Sequence, residues 1–307
     1  MSLLAVIKGK GKNGFGYGST AEDVTDGVDL GGKTFLVTGC NSGIGLESMR
    51  VLALRGAHVL AAARTVEKAQ DAAASVGADA TPIACELSEP ASVRAAADAV
   101  RDTGRRVDAI LCNAGIMALP KLTLHHGYDL QFFTNHVGHF ILVTNLLDVL
   151  ADDGRVVMTS SDAHKQAPRA GVDVENLDGS KGYSSWGNYG QSKFANILFA
   201  KALAKRFEGS ARTANAVHPG VIRTNLARHM NPLAGVGMAM VGPIVLKTIP
   251  QGAATQVYVA ANPGAAHHSG EYFKDCNVGK PRAPGEDPAL AERLWEKTEE
   301  IVAGLPA

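Results

Sequence analysis

The stretch Thr38-Gly-Cys-Asn-Ser-Gly-Ile-Gly45 constrains this chain more than any other. Lys33 to Val37, just ahead of it, is short, apolar and partly β-branched, which is a strand pattern. Leu46 to Arg55, just after it, carries Leu46, Met49, Val51, Leu52 and Leu54 as a helical apolar stripe. Glycines at such a strand-to-helix turn let the backbone bend sharply and let a ligand come close. The N–H groups and the positive dipole end of the following helix can then hold phosphate. A second strand candidate, His58–Ala63, follows, as a dinucleotide-binding unit requires. Gly39, Asn41, Ser42, Gly43, Ile44 and Gly45 are therefore the expected phosphate-side residues.

From Lys33 onward strand and helix patterns alternate. Strands are expected at Lys33–Val37, His58–Ala63, Thr81–Cys85, Val107–Cys112, Arg155–Thr159, Thr213–Val217 and Glu271–Phe273, and helices at Ile44–Arg55, Val66–Val76, Ala91–Thr103, Tyr128–Leu150, Tyr189–Phe207, Gly252–Ala261 and Pro288–Val302. That order argues an α/β fold, a doubly wound parallel sheet of about seven strands with helices on both faces. The 307 residues suit one large domain, and no repeat or linker marks a second. Residues 1–30 read as an N-terminal extension, with Lys8 to Gly18 loosely ordered because it is rich in Lys and Gly, and 31–307 as the dinucleotide-binding and catalytic domain.

Net charge is zero, so no basic field points to nucleic acid. The four cysteines lie far apart with no Cys-x-x-Cys, which argues against disulfide or zinc frameworks and for a reducing compartment. Ser2 to Ile7 is apolar but short, with its lysines after it, the wrong order for a secretory signal. No stretch reaches the length of a membrane span, so a cytoplasmic location is expected. The longest uncharged apolar run, Pro232 to Leu246, reads as a loop or short helix.

Tyr189-Gly-Gln-Ser-Lys193 places a phenol and an ammonium four residues apart, on one face of a helix and roughly 6 Å from each other. An ammonium beside a phenol favours the phenolate and should lower its pKa, making Tyr189 a proton donor and acceptor for a carbonyl/alcohol pair. The strand Arg155–Thr159 delivers Ser160 and Ser161 at its carboxyl end, where ligands of open α/β sheets bind. At the end of the second strand an NAD site would want a carboxylate, about 20 residues past the glycines. Ala63 stands there, followed by Arg64, whose guanidinium suits a 2′-phosphate, so NADP(H) is expected in preference to NAD(H).

With the glycine turn, the serine pair and the Tyr/Lys pair in this order, the chain resembles the short-chain dehydrogenase/reductase family, of the compact single-domain Rossmann type, over roughly Leu30 to Val302. The resemblance implies that Ser161 orients the substrate oxygen, that Tyr189 is the general acid/base, and that Lys193 holds the cofactor ribose and tunes the phenol. Asn135, in Thr134-Asn-His-Val-Gly138, matches the helix Asn that anchors a proton-relay water. Cys112-Asn113-Ala114-Gly115 resembles the family's Asn-Asn-Ala-Gly near the adenine, with Cys for the first Asn. Glu86-Leu87 stands where Asp-Leu is usual beside the adenine. His218-Pro219-Gly220-Val221 with Thr224 resembles the stretch touching the nicotinamide amide and pyrophosphate.

Within the family the nearest likeness is to the retinol-dehydrogenase-like branch, which includes the oxidoreductase domain of WW-domain oxidoreductases and a chloroplast envelope relative. Its carriers are Gly18-Ser-Thr-Ala21, Ala114-Gly-Ile-Met117, Gln131-Phe-Phe-Thr-Asn-His-Val-Gly-His139, Gly270-Glu-Tyr-Phe-Lys-Asp-Cys276 and the 28-residue interval from Ser161 to Tyr189. That branch implies apolar alcohol or carbonyl substrates such as retinoids, steroids or lipid aldehydes, with Pro232 to Leu246 where the substrate lid lies. Related enzymes often pair through the helices that match Tyr128–Leu150 and Tyr189–Phe207, making homodimers or homotetramers, and nothing in this sequence decides between these and a single chain. The rival readings are an NADP(H)-binding regulatory or scaffold protein with a docking arm, and an extended-type epimerase, whose glycine spacing is absent here. No metal is expected: His136 and His139 lack a third ligand nearby, and His125-His126 and His267-His268 read as loop residues.

Overall fold

The computed structural model of the chain describes residues 8–222 and 246–306, and in them the apolar runs lie side by side as a sheet. Its strands are β1 (Thr34–Thr38), β2 (His58–Ala63), β3 (Ala80–Ala84), β4 (Val107–Cys112), β7 (Leu150–Thr159), β8 (Thr213–His218), β9 (Tyr272–Lys274) and β10 (Asn277–Gly279), while β5 (Leu124–His125) and β6 (Tyr128–Asp129) form a separate hairpin. The sheet has eight strands in the order β10-β9-β8-β7-β4-β1-β2-β3. All pairings are parallel except β9 with β10, so the sheet is one strand larger than expected. The extra strand is three residues long and follows a tight turn in which Asp275 and Cys276 have φ of 53° and 61°, too short a run to show a period.

The strand order reverses between β1 and β4, so the crevice beyond their carboxyl ends is where a ligand seats. Side chains alternate between two cores. Leu36, Leu60, Ile110 and Val156 face one layer of helices, and Phe35, Val37, Val59, Leu111 and Val157 face the other. Helices α1 (Gly43–Leu54), α2 (Val66–Val76), α3 (Pro90–Asp102), α5 (Ser185–Arg206), α6 (Ile249–Ala261) and α7 (Pro288–Ala303) match the expected ones to within a few residues at each end.

The expected Tyr128–Leu150 helix is different. Tyr128 and Asp129 belong to the hairpin, α4 covers 130–144, and Leu150 begins β7. The run is apolar nearly throughout, so its period does not show where helix gives way to strand. Strand β7 also starts earlier than Arg155, because Val107 pairs with Leu150 and Ala109 with Arg155, leaving a bulge that contains Asp152, Asp153 and Gly154.

The described residues of the N-terminal stretch, 8–30, are not the loose arm expected of their composition. Ala21 and Val24 are fully buried, the Ala21 N–H donates to the Pro250 carbonyl at 2.9 Å, and Asn13 Nδ2 donates to the Cys276 carbonyl at 2.7 Å. From Asn13 to Val24 this segment is packed on α6 and the β9–β10 turn. All four cysteines are buried and unpaired.

Helix α7 packs along α5 and touches α4 through two side chains. Trp295 stacks on Phe199 of α5 at 5.4 Å and meets Phe140 of α4 edge-on at 4.8 Å, and the Arg206 guanidinium lies 3.8 Å from the Trp295 ring. Thr298 Oγ1 is 3.0 Å from His136 Nε2. The side chains that α7 touches on α4 and α5 are therefore engaged within the chain itself.

Burial holds His136 at about 3 and His139 at about 4, against an ordinary value near 6.5. Between those values the unfolded chain binds protons that the folded chain refuses, so stability falls as pH drops from about 6.5 toward 4. Each histidine is expected to cost about 2 kcal/mol at pH 5 relative to pH 7.5. Urea unfolding at the two pH values checks this. His139→Asn should remove about half of the loss that the two histidines cause together, and an unchanged loss would refute the assignment.

Candidate active site

The turn after β1 is shaped by close backbone approach. Gly39 and Gly43 have φ of 68° and 56°, and a Cβ on Gly45 would lie 2.2 Å from the Gly39 carbonyl oxygen. Ser42, the N-cap of α1, makes no capping bond with its side chain, so the first-turn N–H groups are left facing the crevice. Thr38 locks the turn to β4. Its Oγ1 accepts from the N–H groups of Asn113 at 2.9 Å and Ala114 at 3.0 Å, while Asn113 Nδ2 donates to the Thr38 carbonyl.

A cleft of about 800 Å³ opens above this turn. Gly39, Asn41, Ser42, Gly43 and Ile44 line one part of it, and Arg64, Glu86 and Leu87 the part beyond β2 and β3. Asn113, Ala114 and Gly115 line it beyond β4, Ser161 and Pro219, Gly220 and Val221 line it beyond the neighbouring strands β7 and β8, and Tyr189 and Lys193 line it from the helix that follows β7. Thr224 and nearly all of Pro232 to Leu246 lie outside the described residues. Gly45 and Asn135 do not line the cleft; they shape it from behind.

Asn135 sits in a wider turn of α4, a π segment at Phe133–Val137. Its side chain is committed to protein: Oδ1 accepts from the Ile116 N–H at 2.8 Å, and Nδ2 donates to the Ile116 carbonyl and Ser192 Oγ, both at 2.9 Å. Its carbonyl is 3.0 Å from His139 Nδ1, whose Nε2 is 3.0 Å from Thr38 Oγ1. A carbonyl only accepts, so His139 carries its proton on Nδ1 and Thr38 donates to Nε2. This chain of bonds ties Asn135 to the glycine turn. Gly115 leaves the room between them, since a Cβ there would meet Asn135 Oδ1 at 2.9 Å and Lys193 Nζ at 3.2 Å.

Helix α5 begins four residues before Tyr189, with Ser184 as N-cap accepting from the Gly187 N–H at 3.3 Å. Tyr189 and Lys193 are both buried, and the ammonium lies 5.9 Å from the phenol ring centroid. The two serines differ in use. Ser160 Oγ donates to the Lys193 carbonyl at 2.7 Å, which joins β7 to α5. Ser161 Oγ lies against the Tyr189 phenol.

The expected lowering of the phenol pKa is not found. Burial pushes Tyr189 up to about 12, opposed only by its hydrogen bond with Ser161, and pushes Lys193 down to about 8. One of the Lys193 donors goes to the Thr159 carbonyl at 3.1 Å.

Arg64 stands just before α2, two-thirds exposed, with Nε 3.6 Å from Glu86 Oε2. Glu86 Oε1 in turn accepts from the Ser88 N–H and hydroxyl at 3.2 and 2.9 Å. The pair is exposed and worth little by itself, so a ligand phosphate can displace the carboxylate from the guanidinium. Behind the site, the Leu87 carbonyl is closely packed on α4, where a Cβ on Gly138 would lie 2.2 Å from it.

Two site groups carry no signal in the sequence. Asp162 follows Ser161 and binds His218 at the end of the neighbouring strand β8: its N–H donates to His218 Nδ1 at 3.2 Å, and its Oδ2 is 3.2 Å from His218 Nε2 and 2.6 Å from Lys274 Nζ. His218 and Lys274 hold the Asp162 carboxyl well below the usual carboxylate range. Trp186, on the rim, packs edge-on against Tyr189 at 6.0 Å. Neither contact follows from spacing in the chain.

No helix among the described residues is long and apolar enough to cross a membrane. The short chain dehydrogenase family model matches residues 33–233. The chain is 39% identical over 324 residues to short-chain dehydrogenase TIC 32 B, chloroplastic, of Brassica napus, with all of both chains covered. It is 34% identical over 293 residues to retinol dehydrogenase 14 of Mus musculus, covering 89% of this chain and 87% of that protein. A crystal structure from Mycobacterium paratuberculosis superimposes with a TM-score of 0.75 at 32% identity, over 93% of this chain and 98% of that one. A short chain dehydrogenase from Burkholderia cenocepacia in complex with NADP gives 0.65 at 26% identity, over 80% and 96%. The chain therefore belongs to the short-chain dehydrogenase/reductase family, in its retinol-dehydrogenase-like branch, and is an oxidoreductase of that class.

Proposed function

We propose that this enzyme interconverts an alcohol and a carbonyl on an apolar substrate with NADP(H), Tyr189 being the general acid/base. The observation that carries the reading is the meeting of Ser161, Tyr189 and Lys193 in the cleft that also holds the glycine turn. The cradle suits a dinucleotide: the uncapped helix N-terminus faces the pyrophosphate position, and a side chain at Gly45 would close the turn. When bound, the nicotinamide would give or take the hydride. Ser161 holds the substrate oxygen beside the phenol. Tyr189, neutral at its raised pKa, donates the proton in reduction and recovers it in oxidation. Lys193 keeps donors for ribose hydroxyls and, below about pH 8, an ammonium near the phenol. Asn135 fixes Ile116 and, through Gly115, the backbone beside Lys193.

Apolar side chains support the substrate class. Ile116, Met117, Leu130, Trp186, Val221 and Ile249 line the same cleft, and the last three are exposed at its rim. The relative from Mus musculus is named for retinol. We assign the enzyme to the cytoplasm on its four unpaired thiols. NADPH oxidation against a panel of apolar aldehydes and ketones tests the reading; tight NADPH binding without turnover on any of them favours a regulatory protein instead.

Cofactor preference has its own test. Arg64→Ala should weaken NADP⁺ binding by about 10- to 100-fold, the worth of a charge-assisted contact, and leave NAD⁺ binding nearly unchanged. Dissociation constants for both cofactors measure this. An unchanged ratio would remove Arg64 from the 2′-phosphate site.

A further inference from the structure

We propose that Glu89, His125 and His126 form a three-ligand site for a divalent transition-metal ion of the Zn²⁺ type, outside the redox cleft. One ligand atom from each lies within 4.8 Å of the other two. His125 Nε2 is 3.2 Å from Glu89 Oε1, and His126 Nε2 is 4.0 Å from Glu89 Oε2. Ligands at 2.0–2.1 Å around a tetrahedral Zn²⁺ stand roughly 3.3 Å apart, so a small contraction closes the set.

The backbone explains how neighbouring residues come to share one target. Successive strand residues point to opposite faces. Here His126 and Gly127 are the two central residues of the β5–β6 hairpin, with φ of 48° and 82°, the pattern of a type I′ turn. The left-handed turn brings both imidazoles to the same side, their centroids 4.3 Å apart. A non-glycine residue pays for that conformation, and position 126 is one where Asn, Asp or Gly is usual. Glu89 is the N-cap of α3 but makes no cap bond with its side chain, so its carboxylate is available.

Both Nε2 atoms are shielded from solvent and make no hydrogen bond, although Glu89 is within ion-pair distance. Shielded ring nitrogens without a partner ask for a ligand. Phe133 backs both rings, at 5.7 and 5.1 Å between centroids, and gives the site an apolar floor. Two imidazoles and a carboxylate suit Zn²⁺ and leave a fourth position for water. A bound ion would tie the hairpin to the loop that carries Glu86, Leu87 and Ser88 along the cleft. The inference stands independently of the substrate and cofactor reading.

The test uses the full chain, stripped with a chelator and then given Zn²⁺ alone in equilibrium dialysis. Wild type is expected to hold one Zn²⁺ per chain, with affinity reduced at least about tenfold in Glu89→Gln and in His126→Asn. His126→Asn keeps a residue that tolerates the left-handed turn, and Glu89→Gln removes no cap bond, so both should fold; circular dichroism verifies it, and either variant alone decides. Co²⁺ in place of Zn²⁺ should give the intense visible bands of a four-coordinate centre in wild type only, and Zn²⁺ should raise the wild-type Tm but not that of Glu89→Gln. Equal uptake and equal Tm response in wild type and variants would overturn the site, assigning the metal to other surface histidines.

Discussion

Tyr189→Phe is expected to lower kcat by about 10²- to 10⁴-fold while leaving the NADP⁺ dissociation constant and the unfolding midpoint nearly unchanged. The substitution removes one oxygen. The ring stays in its buried place and keeps its edge-on contact with Trp186. What disappears is the group proposed to exchange a proton with the substrate oxygen, together with the hydrogen bond to Ser161. Single-turnover kinetics with NADPH would isolate the chemical step. A variant within about tenfold of wild type would remove Tyr189 from the mechanism, because general acid/base catalysis contributes more than that. A variant that loses cofactor affinity as well would show the phenol to be part of the cradle instead.

The second large effect concerns stability. Lys247 is fully buried, with Nζ 2.6 Å from Asp275 Oδ1 and 4.9 Å from the centre of the Tyr17 ring. Its stem fills the space beside Gly220, where a Cβ would meet Lys247 Cδ at 2.6 Å. Lys247→Met keeps the stem and deletes the charge, leaving Asp275 without its cation, and should cost about 3–5 kcal/mol. Asp275→Asn keeps a residue suited to the left-handed turn but strands a buried ammonium, and should cost a similar amount. The double variant should be more stable than either single one, because neither charge is then left alone. Urea unfolding of the four proteins measures the coupling. Strict additivity would mean that the pair does not act as a unit.

Much of this arrangement is legible in the sequence where one local rule decides. The glycine turn is such a place: strand, turn and helix are contiguous, and Gly45 tolerates no side chain for a reason that lies within its own turn. Tyr189 and Lys193 are another, since four residues on a helix fix their common face. The reading fails where the determinant is remote. The phenol pKa depends on burial beneath elements remote in the chain, which raises it against a single opposing hydrogen bond from Ser161. The end of α4 at Thr144 is hidden by an apolar run that suits helix and strand alike. The packing of the N-terminal stretch depends on a carbonyl at Pro250 and another at Cys276, both far along the chain. His125 and His126 look like loop residues until a left-handed turn and Glu89, from a different element, give them a common target.

The seat of the last helix reaches beyond packing. Trp295 spans Phe199 and Phe140, so one aromatic side chain touches both surfaces by which relatives of this architecture are expected to associate. Within each molecule, those two side chains are reachable by another copy only if its own C-terminal segment moves. Association through those two faces would require that segment to leave them first, so it would draw on the same equilibrium as the fraying of the helix.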